Sequence, residues 1–197
     1  MQKHTRLVWI VLACFVVSLP PISTFLQLRM STHMLVQMPM LVALGYASVR
    51  IVWQQGLATA RSCVLIRRFR GSGILLAIFT VMAWMIPRLL DMAVEMAWVD
   101  AIKVGSLVFL AGVPLGLCWP EIGGPLRGVL HLEALATLAR MGWIFIETPQ
   151  RLCLQYGLDE QRFTGQMLLS LAFIYTLYLL FIIFRGLPTQ VRPVTES

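Results

Sequence analysis

Charge is what this 197-residue chain has least of. Asp, Glu, Lys and Arg together make up 13% of it, where a soluble domain carries about 25%. The apolar share is 58% and the mean hydropathy +0.79. That balance excludes an ordinary soluble domain. Histidine occurs three times, as His4, His33 and His131. No two of them are spaced to clamp a haem within the apolar segments. Cysteine occurs four times, as Cys14, Cys63, Cys118 and Cys153. They form no CxxC pair, so neither a zinc site nor a thioredoxin-like motif is indicated. Isolated cysteines in apolar segments act as small packing residues. The chain also lacks GxSxG, a phosphate-binding loop and HExxH. With no catalytic set, the expectation is a protein that is not an enzyme.

What is present is a series of long apolar segments. A helix needs about 20 mostly apolar residues to cross a bilayer. Six segments qualify, at about residues 7–24, 33–53, 72–94, 97–118, 124–146 and 166–184. The expected fold is an all-α polytopic membrane helix bundle, with residues 1–197 as one integral membrane domain. The first segment follows Lys3 and Arg6, as a signal peptide would. It ends at Pro20-Pro21 with no small-x-small cleavage site, which favours a retained helix. Pro87 kinks or ends the third segment.

The net charge of +7 follows the loops rather than a nucleic-acid partner. The loop after the second segment carries Arg61, Arg67, Arg68 and Arg70 with no acid. Basic loops stay in the cytoplasm. Both termini then lie inside, and the acidic or balanced loops lie outside. The expected location is a bacterial inner membrane, with lipid as the first partner.

The second segment opens on Met30-Ser31-Thr32-His33-Met34-Leu35-Val36-Gln37-Met38-Pro39-Met40. Thioethers and an imidazole at one membrane face suit Cu(I). Methionine also packs well in apolar surroundings. On a regular helix Met30, His33, Gln37 and Met40 share a face, with Met34 and Met38 beside it. Asp91, Glu95 and Asp100 lie on the same side, as an acidic rim or a solvated loop. The fifth segment contains His131, Glu133 and Arg140. Ionisable groups inside a membrane pair or face protein. Glu133 and Arg140, seven residues apart, share a face and form an expected ion pair.

Several stretches, taken in order, resemble the multi-pass CtaG family of cytochrome c oxidase assembly factors. His33-Met34-Leu35-Val36-Gln37, then Leu44-Gly45, is similar to the family's His-Met-x-x-His helix with its Leu-Gly. Pro87-Arg88-Leu89-Leu90-Asp91 is similar to Pro-x-Leu-Tyr-Asp, and Phe109-Leu110-Ala111-Gly112 to Phe-Leu-x-x-Gly. Thr148-Pro149 through Tyr156, then Glu160-Gln161-Arg162-Phe163-Thr164-Gly165, is similar to the family's last two elements. The likeness runs from about Met30 to Arg185. It departs where Gln37 replaces the second histidine, where the histidines between Asp91 and Phe109 are absent, and where Glu160 replaces Asp.

The resemblance implies an assembly factor for a copper-containing oxidase-type enzyme. It carries over His33 as a copper ligand, with Met30, Met34, Met38 and Met40 as softer replacements for the missing histidines. Asp91, Glu95, Glu160 and Gln161 would shape the rim. The missing histidines also motivate a second expectation, an accessory subunit of a larger membrane complex without the metal. A small transporter is the third, resting on His131 and Glu133 alone.

Overall fold

The computed structural model describes residues 26–54, 60–153 and 155–185. The expected helix at residues 7–24 lies outside them. Helix is the one kind of regular secondary structure among the described residues, with no strand among them. We number the helices α1 (Met30–Trp53), α2 (Ala60–Trp84), α3 (Pro87–Glu95), α4 (Ala97–Glu121), α5 (Gly124–Glu147) and α6 (Leu158–Phe184). Four of them, α1, α4, α5 and α6, are long and apolar enough to cross a membrane, and α2 with α3 adds a fifth if counted as one span. The chain is a membrane protein built as an all-α bundle.

The third expected span is broken. α2 and α3 meet at 72°. Ile86 is extended (φ −71°, ψ 120°) and Pro87 opens α3. A residue before proline avoids the helical region, and proline itself suits a first turn. The last span is longer than its apolar core suggests, because α6 begins at Leu158 and takes in Asp159 and Glu160 in its first turn. Acids there meet the positive end of the helix dipole.

Two helices change pitch. His33–Gln37 in α1 and Leu107–Gly112 in α4 are π-helical. A π turn bonds i to i+5 and adds a residue to the turn, so faces on its two sides lose their common register. This is why Met34 and Met38 join Met30 and His33 in the interior, while Met40 is exposed.

The helices approach closely where side chains are smallest. α1 crosses α4 at Gly45 and Gly112: a Cβ on Gly112 would lie 2.8 Å from the Gly45 Cα. α5 crosses α6 at Gly142 and Gly165, where a Cβ on Gly142 would lie 2.9 Å from the Gly165 carbonyl oxygen. Lipid tails remove the hydrophobic drive for helix association, so close backbone packing has to hold such bundles together.

The main core gathers Met30, Met34, Met38, Leu41, Trp84, Leu90, Leu107, Phe145 and Leu168. A smaller one at the opposite end holds Ile74, Cys118 and Ile122. α1, α2 and α4 form one packed unit, and α5 has α6 as its only extensive helix partner among the described residues. The α5–α6 hairpin joins the rest at the His33 end, where α6 contacts the first turn of α1.

Candidate functional site

The His33 end encloses polar side chains that the composition does not lead one to expect. His33, Gln37, Lys103, Asp91, Gln161 and Thr164 are all buried. Lys103 is fully enclosed, and its Nζ lies 2.6 Å from Asp100 Oδ1, one turn earlier on α4. Gln27 Nε2 donates to the same Asp100 oxygen at 2.8 Å. On its other side the Lys103 Nζ is 3.4 Å from His33 Nε2. Tyr156 closes the chain by donating to the Gln27 carbonyl oxygen at 2.8 Å. One line of polar groups therefore ties the α5–α6 loop, the start of α1 and α4.

Further bonds fasten the same end. Trp84 Nε1 donates to Ser106 Oγ at 2.7 Å, and Ser106 Oγ donates to the Lys103 carbonyl oxygen at 3.1 Å. Gln161 accepts from the Leu152 N–H at 2.9 Å and donates to the Phe145 carbonyl oxygen at 3.2 Å. Gln155 Nε2 donates to Glu95 Oε1 at 2.7 Å.

Burial pushes the Cys153 thiol up to about 12, and the charge of Asp91 adds to it. Burial, with Cys153, Asp91 and Glu160 nearby, also raises the Tyr156 phenol well above its ordinary range. Its hydroxyl therefore stays a donor. A thiol raised that far is expected to react with maleimide about a thousandfold more slowly than an ordinary one at neutral pH, because only thiolate reacts. Peptide mass spectrometry should find Cys153 labelled only after denaturation. Rapid labelling of the folded protein would contradict its burial.

The residues nominated for copper are only partly brought together. Met30, His33, Met34 and Met38 are interior, but Met40 is exposed. His33 Nε2 faces an ammonium group that is already paired with Asp100. Accepting from that ammonium leaves the proton on Nδ1, and a protonated nitrogen cannot ligate a metal. A Cu(I) ion on His33 would have to displace Lys103, and it would place a second cation beside the first. Among the described residues no three of His, Cys, Asp and Glu group as a metal site. The donor set does not fit the metal that the resemblance implies.

The rim residues divide. Asp91 is buried, Glu95 is exposed and held by Gln155, and Gln161 is an internal brace. Glu160 keeps one carboxylate oxygen buried without a hydrogen-bond partner. His33 Nδ1 and both polar atoms of Gln37 are likewise enclosed without one. Buried amides without protein partners are typical sites for internal water.

A second polar group sits on α5. Arg140 Nη2 pairs with Glu133 Oε1 at 2.5 Å, as the seven-residue spacing predicts. His131 Nδ1 lies 2.5 Å from the Tyr175 hydroxyl of α6. Among the described residues the hydrogen bonds of this group stay within α5 and α6 and do not reach the His33 cluster. His131, Glu133 and Tyr175 line a cleft of about 460 Å³ between the hairpin and helices α2 and α4.

Sequence reasoning gave Lys103 no role. The signal was there: Asp100 and Lys103 sit three apart inside an apolar run long enough to span. Charges so placed pair inside protein. The chain matches no protein-family model, no curated protein and no solved structure.

Proposed function

We propose that this chain is a non-enzymatic membrane factor that docks onto a larger membrane complex. The observation behind the reading is the Glu133–Arg140 pair. Both side chains sit near the middle of α5, yet they are 46% and 61% exposed. A charge at the centre of a membrane helix costs about 2.5–3.5 kcal/mol on insertion scales. Pairing offsets part of that cost. A partner helix laid over Arg140, with Leu132 and Trp143 on the same exposed face, removes the pair from lipid and offers it polar partners. A monomer surrounded by lipid has no use for such a pair.

The resemblance to oxidase assembly factors supplies the client class, a respiratory enzyme of a bacterial inner membrane. Between carrying copper and working without it, the Lys103 ammonium beside His33 favours the second. The function is then scaffolding or accessory: holding a client subunit through α5.

The test is site-specific photo-crosslinking in native membranes. A probe at Trp143 is expected to give one discrete protein adduct, and a probe at Phe79, on lipid-exposed α2, none. Replacing both charges (Glu133→Gln with Arg140→Gln) is expected to lower the Trp143 adduct about tenfold while the protein still elutes as one species. Equal crosslinking at both probes would sink the proposal. A Cu(I) titration of the purified chain separates the two accessory roles. The expected result is no stoichiometric binding, and one tightly bound equivalent lost in His33→Ala would restore the copper role.

A further inference from the structure

We propose that the cleft between the α5–α6 hairpin and helices α2 and α4 binds one acyl chain of an anionic phospholipid, with its phosphate at Arg127. The proposal does not rest on the docking reading: it concerns the inward side of the hairpin rather than its outer face, and Glu133 stands at the edge between them.

Shape comes first. The cleft runs along α2 from Ile74 to Met85, just past the helix end, a rise of eleven residues or about 16 Å. That is roughly half of a 30 Å hydrocarbon core, the depth of a single leaflet. Its volume of about 460 Å³ falls in the usual range for small-molecule sites, about 300–1,000 Å³. A spanning helix, about 30 Å long and 10 Å across, is several times too large. A single hydrocarbon chain has the required length and girth.

The walls agree. Ile74, Ile78, Val81, Met85, Leu115 and Leu138 give an apolar lining. The polar atoms at the edge are already engaged, since His131 bonds Tyr175, and Glu133 bonds Arg140 and Thr137. A tail therefore meets no polar group that demands a partner of its own.

The two ends differ in charge. One end of the cleft is Trp119, where Arg127 lies over the ring at 5.8 Å and donates to the Trp119 carbonyl oxygen at 3.1 Å. Arg127 Nη2 also donates to the Pro120 carbonyl oxygen at 3.3 Å, and its Nε is enclosed without a hydrogen-bond partner, which leaves Nη1 as the donor for a phosphate. Arg70 is close by, donating to the Glu121 carbonyl oxygen at 2.9 Å. Tryptophan and arginine at a helix end mark the headgroup level. Guanidinium groups there suit a phosphate that they can bind by charge-assisted bonds. At the other end lie Met85 and Leu138, the place for a terminal methyl. Chain in the slot and phosphate at the arginines is the orientation that satisfies both ends.

The experiment uses the full chain, delipidated in detergent, with phosphatidylglycerol as the probe and native mass spectrometry as the readout. One molecule bound per chain is expected. Ala134→Trp, which fills the cleft from an exposed helix position, is expected to weaken binding at least tenfold. Ala134→Leu, a smaller plug less able to disturb folding, should weaken it by a lesser factor. Arg127→Gln is expected to weaken binding about tenfold, the scale of one charge-assisted bond. Phosphatidylcholine should bind severalfold more weakly. Unchanged binding in both Ala134 variants would overturn the site. A free long-chain fatty acid or phosphatidylcholine binding as tightly as phosphatidylglycerol would overturn the assignment of an anionic phosphate to Arg127.

Discussion

Asp100→Asn is expected to destabilise the folded protein by about 3–5 kcal/mol, the usual cost of breaking a buried ion pair from one side. Lys103 has no exposed surface, and among the described residues Asp100 is the one acid it pairs with. Asparagine keeps the oxygen that Gln27 bonds to, so shape and one hydrogen bond survive. What is lost is the countercharge, and His33 Nε2 at 3.4 Å replaces only part of it. Replacing both partners, with Asp100→Leu and Lys103→Met together, removes the buried charge as well as its partner. Such exchanges are often close to neutral, so the double variant should recover most of the loss. Thermal unfolding in detergent, followed by tryptophan fluorescence, reads both. Equal midpoints for wild type and Asp100→Asn would mean that the ammonium reaches water, and the enclosed cluster would be wrong.

Gly112→Leu should have an effect of similar size for a different reason. A Cβ at Gly112 would fall 2.5 Å from the Val42 carbonyl oxygen and 2.8 Å from the Gly45 Cα. These are backbone atoms of α1, and no rotamer change relieves the clash. Overpacking costs about 1–3 kcal/mol where side chains can adjust, so leucine against backbone is expected to exceed that and to lower the yield of folded protein. Gly105→Ala is the control on the same helix. Nothing lies within 4 Å of its added Cβ, and alanine is the better helix former by up to about 1 kcal/mol. It is expected to be neutral or stabilising. Size-exclusion profiles and unfolding midpoints of the two variants check the contrast.

The bundle was legible because its signal is long and repetitive. Runs such as the one ending α6, from Gln166 to Phe184, contain no charge over about 28 Å of helix. The Glu133–Arg140 pair was legible too, because spacing on a regular helix fixes which side chains meet. The bend before Pro87 was half legible: proline marks the place, but the 72° angle depends on what α3 packs against. The interior of the His33 end was not legible. Two π turns shift the faces of α1 and α4 by a residue, and sequence gives no mark of where they fall. That shift separates Met40 from Met30, Met34 and Met38. It is also why Met34 and Met38 lie in the core with Met30 and His33, and the Lys103 ammonium stands beside His33.

The hairpin formed by α5 and α6 is fastened at both ends and open between them. At one end the bonds from Tyr156 and Gln155 hold it; at the other, a short turn at Ile122 and Gly123 and the Trp119–His131 ring contact at 5.5 Å. The slot behind it is thus reached from the side, through the hydrocarbon phase. Whatever fills it equilibrates with the membrane and not with either bathing solution. Its occupancy follows mole fraction in the bilayer, so the protein would register changes in lipid make-up while remaining indifferent to the same compounds dissolved in water.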